Sequence, residues 1–320
     1  MISLTEINCR EFSEQYRRLA IIDNSRIVLA GGNDPITGRR SQFSAEVCCV
    51  EIDSCSTVWN QSLPRNYPFS QPVVTGDFVG VAIEFNFARE PTGLFLFAKD
   101  DGSLSRKQVV SGLKSLTAFP KTGPFVYSLE QNDSLHIAVE WDDGRKSKLR
   151  LPYATTGLTL CDIQSLSGED FVLAIRRGNS FTFERWSLSQ PEPIWICKSK
   201  NNRCVLRNDR LLTFSTDEGL GSIGEITQDE GLESSVAKIR GAGISNLFLL
   251  DDRTVLWINH DRQVGISEFG SKNGHHLIQL DAKCPGWTDL ALLPDTNRIV
   301  TLNTNNHSDP KAELKLFSIA

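Results

Sequence analysis

Histidine is scarce in this chain, with only five in 320 residues, at 136, 260, 275, 276 and 307. That leaves little for general acid–base chemistry. His136 alternates within Leu135-His136-Ile137 and reads as a strand residue, while His275 and His276 sit in a Gly-containing turn, where adjacent side chains of an extended chain point apart. No Cys-x-x-Cys pair occurs among the eight cysteines at 9, 48, 49, 55, 161, 197, 204 and 284, so neither a zinc site nor a disulfide framework is expected. Most of them lie in apolar runs such as Val47-Cys48-Cys49-Val50 and read as buried thiols. No apolar run approaches the roughly 18–20 residues that cross a bilayer, and no basic stretch leads into an apolar core at the start of the chain. A cytoplasmic protein with no membrane association is expected. Basic residues do not dominate either: 34 Lys+Arg against 39 Asp+Glu give a net charge of −5, which argues against nucleic acid as the main partner. Nucleophile-elbow, phosphate-loop and dinucleotide-binding patterns are all absent.

What the chain does contain is a repeat. Seven segments join a turn rich in Asp, Asn or Gly directly to a short β-forming run, with the runs starting at 27, 78, 125, 171, 211, 254 and 299. The spacing averages about 45 residues. Asn, Asp and Gly tolerate the positive φ of tight hairpins, so each turn joins a preceding strand to the new run. Apolar runs such as Leu19-Ala20-Ile21-Ile22 and Leu290-Ala291-Leu292-Leu293 supply the preceding strand. An alternating strand follows, as in Val139-Glu140-Trp141 and Phe183-Glu184-Arg185-Trp186, and a fourth closes the unit, as in Thr57-Val58-Trp59 and Ile194-Trp195-Ile196. Four antiparallel strands per unit make the blade of a β-propeller.

The seventh unit reaches only its third strand, Leu314-Lys315-Leu316-Phe317, whereas a spare alternating segment, Ile2-Ser3-Leu4-Thr5-Glu6-Ile7, precedes the first unit. Pairing the two covers a bare sheet edge. The expected fold is therefore all-β: a seven-bladed β-propeller of four-stranded antiparallel blades, one domain over 1–320, with the N-terminal strand completing the last blade. Six or eight blades, a sandwich, or two small β domains are the competing arrangements. Glu11-Phe12-Ser13-Glu14-Gln15-Tyr16-Arg17-Arg18 reads as a short helix or loop leading into blade one.

The first unit resembles a kelch repeat. Leu29-Ala30-Gly31-Gly32-Asn33 ends a strand in paired glycines, and Val50-Glu51-Ile52-Asp53, Trp59 and Leu63-Pro64-Arg65 follow in the kelch order. The fourth unit keeps Trp195, and Trp141-Asp142 is similar to the Trp-Asp pair of WD40 repeats. The resemblance implies a degenerate kelch- or WD40-like propeller, a class most often used to hold partners.

The function expected is a non-enzymatic scaffold or adaptor that binds a protein partner through its loop face. Loops joining second to third strands collect on one face of a propeller, and binding residues favour loops on rigid scaffolds. Arg39, Arg40, Arg89, Arg176, Arg177 and Arg262 would line that rim, joined by His260, and Phe87 would serve as an apolar anchor. Neither a cofactor nor a metal is expected. The alternative is a propeller that binds a small molecule or metal at its central channel, with hydrolysis as one outcome. Asp162 is the lone acidic candidate on a first strand, where a cation site would want several. Ser215-Thr216-Asp217-Glu218-Gly219 partly matches the Asp-box turn of sialidase propellers and reads as a polar turn.

Overall fold

The computed structural model describes residues 4–13, 16–32, 44–64, 66–68, 71–85, 93–110, 113–118, 124–141, 143–166, 169–217, 221–239, 243–259, 263–270, 275–279, 288–294, 296–304 and 312–319. These residues form seven antiparallel sheets, and no helix occurs among them. The chain divides into two compact units, Met1–Val110 with Ile278–Ala320, and Ser111–Leu277.

The first unit opens with β1 (Leu4–Phe12). Blade one is a meander of β2 (Tyr16–Ile21), β3 (Arg26–Gly32), β4 (Ser44–Glu51) and β5 (Thr57–Pro64). In blade two the first strand is split into β6 (Asn66–Pro68) and β7 (Val73–Thr75). Both pieces pair with β8 (Phe78–Phe85), and β9 (Gly93–Ala98) and β10 (Leu104–Val109) follow.

The second unit holds four blades. Blade three is β11 (Leu113–Ala118), β12 (Phe125–Gln131), β13 (Ser134–Glu140) and β14 (Lys146–Ala154). Blade four is β15 (Leu158–Ser165), β16 (Asp170–Arg177), β17 (Ser180–Ser187) and β18 (Trp195–Ser199). Blade five is β19 (Arg203–Arg207), β20 (Arg210–Phe214), β21 (Gly221–Ile226) and β22 (Glu233–Ile239). Blade six is β23 (Ile244–Leu249), β24 (Thr254–Asn259), β25 (Gln263–Glu268) and β26 (His275–Gln279), and the boundary between units falls inside β26.

The chain then returns to the first unit with β27 (Thr288–Leu293), β28 (Arg298–Thr304) and β29 (Ala312–Ile319). Here β1 takes the fourth place, in the order β1-β29-β28-β27, with Leu4 opposite Ile319 and Phe12 opposite Ala312. The N-terminal strand thus completes the last blade. All seven apolar runs read from the sequence are second strands: β3, β8, β12, β16, β20, β24 and β28.

Burial explains why those runs were legible. β16 of blade four has sheet neighbours on both sides, with blade three packed against one face and blade five against the other. Its apolar residues therefore run uninterrupted, with Phe171, Val172, Leu173, Ala174 and Ile175 all buried. Fourth strands alternate instead: in β14 Lys146, Lys148 and Arg150 are exposed while Leu151 is buried. The cores are interleaved between successive blades. Val126, Ile137, Val139 and Leu151 of blade three meet Phe171, Leu173, Ile175 and Trp186 of blade four. Burying such side chains contributes about 1.5–3 kcal/mol each. Turn chemistry follows the sequence too: Asn208 and Asp209 join β19 to β20 at φ of 47° and 60°, both in the left-handed region that suits Asn and Asp.

Three local expectations are corrected. The helix or loop expected over 11–18 gives way to strand at its described ends, since Glu11 and Phe12 end β1 and Tyr16, Arg17 and Arg18 begin β2. Their charges mislead because a fourth strand exposes alternate side chains, and the β2–β3 pairing slips register between Tyr16 and Arg18. Arg176 and Arg177 lie at the end of β16, with the turn confined to Gly178-Asn179. His275 and His276 open β26 rather than preceding it.

Candidate interaction surface

Of the eight candidate partner-binding residues, the structure describes Arg176 and Arg177; Arg39, Arg40, Phe87, Arg89, His260 and Arg262 lie outside the described residues. The two arginines flank the β16–β17 hairpin, where Arg176 pairs across the sheet with Phe181 and Arg177 with Ser180. Both are exposed.

Beside Arg177, on the face turned to blade three, lies a buried carboxylate that sequence reasoning missed. Glu184 of β17 is fully buried. Its Oε2 accepts from the Tyr153 hydroxyl at 2.6 Å and from Trp186 Nε1 at 3.2 Å. Its Oε1 accepts from Arg177 Nη2 at 3.0 Å and from Thr182 Oγ1 at 3.4 Å. A buried charge is tolerated only when it is paired and hydrogen-bonded, and Glu184 is both. Tyr153 comes from β14 of blade three, so the cluster ties two blades together. Burial, and then the hydrogen bond and charge of Glu184, push the Tyr153 phenol up to about 12, which keeps it a donor across the physiological range.

Arg177 is therefore held from two sides. Its guanidinium binds Glu184 and lies 4.5 Å from the centroid of the Tyr153 ring, yet 40% of the side chain stays exposed. Arg176 donates Nε to the carbonyl of Gly178 at 2.9 Å and sits 5.8 Å from the Phe181 ring centroid. The two cations are each held in place but leave the end of β16 on opposite faces, Arg177 toward blade three and Arg176 toward blade five.

The groups considered for chemistry are engaged elsewhere. Asp162 Oδ1 accepts from the amide of Ile163 at 3.0 Å and Oδ2 from that of Cys204 at 3.4 Å, with Arg203 at 3.9 Å. Burial raises its carboxyl, against the pull of Arg203 and these amides. His136 contacts the carbonyl of Ser134 through Nδ1 at 3.2 Å, and burial followed by the charge of Lys148 lowers its basicity. Within the Asp-box-like stretch, Asn202 Nδ2 donates to Thr216 Oγ1 at 2.9 Å and Asp217 Oδ1 at 3.4 Å, which ties the turn to the connection between blades four and five. Among the described residues no group of three or more His, Cys, Asp or Glu is placed to hold a metal ion.

No protein-family model and no curated protein matches the sequence. Solved structures do. The WD40 β-propeller domain of Doa1 superposes with a TM-score of 0.59 at 11% identity, covering 98% of this chain and 97% of that one. YCF48 bound to D1 peptide gives 0.59 at 12% identity, covering 99% and 96%. BamB from Moraxella catarrhalis gives 0.54 at 11% identity, covering 98% and 99%. The fold is a WD40-like β-propeller of seven four-stranded blades.

Proposed function

We propose that the chain is a non-enzymatic scaffold that binds a protein partner through the loop face of its propeller. The observation that carries this reading is Arg177, which Glu184 and Tyr153 orient while it keeps an exposed face, with Arg176 exposed on the other face of the same strand end. An arginine that gives up little side-chain freedom on binding is the kind of group that anchors interfaces. The fold supports the same reading, since YCF48, a propeller of similar architecture, has been solved bound to a peptide. Arg39, Arg40, Phe87, Arg89, His260 and Arg262 are proposed to extend this surface. The alternative of a ligand or metal at the channel gains nothing from Asp162, whose oxygens are taken up by backbone amides.

The test is affinity purification with mass spectrometry from the native host, comparing wild type with Arg176→Glu and with Arg39→Glu/Arg40→Glu. Loss of a specific partner at an unchanged melting temperature is expected. Identical recovery from all three proteins would remove the loop face from consideration. A stoichiometric metal in the purified protein, or turnover in a hydrolase screen, would favour the channel instead.

A further inference from the structure

The fourth strands form the open edges of the blades, and an open edge offers its backbone to any extended chain. Most of them are disrupted. The register slips within the pairing of β1 with β29, β5 with β4, β10 with β9, β14 with β13 and β22 with β21. Bulges of this kind twist an edge away from further pairing. By contrast, β18 keeps one unbroken register against β17, from Trp195 opposite Arg185 to Ser199 opposite Phe181, and among the described residues no strand covers its other side.

Its outward side chains are also distinctive. Ile196 of β18 and Ile194, which immediately precedes the strand, are 52% and 39% exposed, and among the described residues no other fourth strand shows such a pair of exposed large apolar side chains two positions apart. Lys198 and Lys200 continue the same alternation and are exposed as well. The opposite face is anchored, because Trp195 and Cys197 are buried in the core shared with blade five. One side of this edge therefore reads aliphatic, aliphatic, basic, basic at alternate positions.

We propose that β18 is a docking edge for an extended segment of a partner protein, added as a fifth strand to blade four. The segment carries acidic residues at alternate positions opposite Lys200 and Lys198, followed by aliphatic residues opposite Ile196 and Ile194. Main-chain hydrogen bonds would give the affinity and the alternate side chains the specificity. Charge favours this occupant over a second copy, which would bring its own Lys198 and Lys200 to an edge that already holds two cations. The basic end of this edge adjoins the β16–β17 hairpin, with Ser199 opposite Phe181, but the inference concerns the open backbone of β18 and not the loops, so Ile196→Lys at the far end tests it without touching the loop-face arginines.

The probe is a dye-labelled heptapeptide, Glu-Thr-Glu-Thr-Val-Thr-Val, titrated with the full chain and read by fluorescence anisotropy. Saturable binding is expected, weakened at least about tenfold by Ile196→Lys. Lys198→Glu/Lys200→Glu should lose this peptide and gain its counterpart with lysine in place of glutamate. Both variants alter exposed side chains, and an unchanged melting temperature shows that they remain folded. N-methylation of alternate peptide amides should abolish binding, which a purely ionic contact would not require. No saturable binding to wild type, or equal binding of the N-methylated peptide, would overturn the proposal. Light scattering that shows a dimer dissociated by Ile196→Lys would also overturn it, by assigning the edge to a second copy.

Discussion

Two joints between neighbouring blades, from one to two and from four to five, are built to one plan with one part inverted. In the first, Trp59 of β5 donates its indole N–H to the carbonyl of Lys99 at 3.0 Å. In the second, Trp195 of β18 donates to the carbonyl of Gln228 at 2.6 Å. Both carbonyls belong to a similar turn, Lys99-Asp100-Asp101-Gly102 and Gln228-Asp229-Glu230-Gly231, closed by a glycine at φ of 69° or 68°. A Cβ on Gly102 would lie 2.5 Å from Cδ2 of Trp59, and one on Gly231 2.6 Å from Cδ2 of Trp195. Each ring therefore needs a bare backbone beneath it.

The inverted part is the arginine. In blade one Arg26 stands on the second strand, is held by Asp23 in the preceding turn, and reaches the exposed Asp100 carboxylate at 3.1 Å. In blade four the second strand supplies the acid, Asp170, and the third strand supplies Arg185, which donates to the same Gln228 carbonyl as the indole, at 2.7 Å. Reaching the neighbouring turn is thus the constant requirement, and which strand carries the cation is free to vary. The difference also predicts unequal coupling. A carbonyl shared by indole and guanidinium ties the two together, whereas a cation on an exposed carboxylate is loosely attached and screened by salt.

The largest effects should fall on the shared parts. Trp59→Ala and Trp195→Ala are each expected to cost about 3–5 kcal/mol in denaturant unfolding. If one proves nearly silent, the joints are not equivalent. Gly102→Ala and Gly231→Ala come next, at about 2–4 kcal/mol from positive-φ strain together with overpacking. In the matching Trp→Ala background each penalty should fall to about 1–2 kcal/mol, because only the backbone strain remains. Full additivity would show that ring and glycine do not meet.

The arginines should then separate the joints. Arg185→Ala is expected to cost about 1–3 kcal/mol, since it leaves Asp170 and the Gln228 carbonyl short of a donor. Arg26→Ala should cost under about 1 kcal/mol and fade further in high salt. Equal losses with equal salt dependence would erase the distinction. Smallest is a pH effect at the first joint. Burial pushes the Asp23 carboxyl up, but the amide and hydroxyl of Ser25 and the guanidinium of Arg26 outweigh it and hold the group below the usual carboxylate range. A depressed folded pKa stabilises above the unfolded value and is lost as pH falls through the folded one. Asp23→Asn should therefore narrow its stability gap to wild type only below about pH 4, and a gap that closes nearer neutrality would point to another group.

How much of this was legible depended on the range of the interactions. Second strands were found from local signals alone, because a positive-φ turn such as Asn208-Asp209 lies directly beside a run covered on both faces. The completion of the last blade could be counted out from one unit that ended a strand short. Trp59 and Trp195 were noticed as isolated likenesses to kelch repeats, and their equivalence lies in the glycine-closed turns they reach, 40 and 33 residues further along. Charged pairs misled. Arg17-Arg18 and Arg176-Arg177 read as loops, yet they sit in strands at a register slip and at a sheet end. The Glu184 cluster was hidden for a different reason: Tyr153 is 31 residues away on another blade, and nothing local marks two such residues as neighbours. Of the proposed rim, only the blade-four pair could be compared with the structure.

The antiparallel match of Leu4 with Ile319 has a consequence for biosynthesis. A ribosome delivers β1 before the other described strands and β29, its sheet neighbour among the described residues, after them. Until then the opening segment has no ladder to join, while three sister strands of its blade are still unmade. Nascent chains of this protein should therefore stay protease-sensitive at residues 4–12 when stalled before β29 and become protected once it emerges. The closing of this blade is then a handshake between two strands made far apart in time.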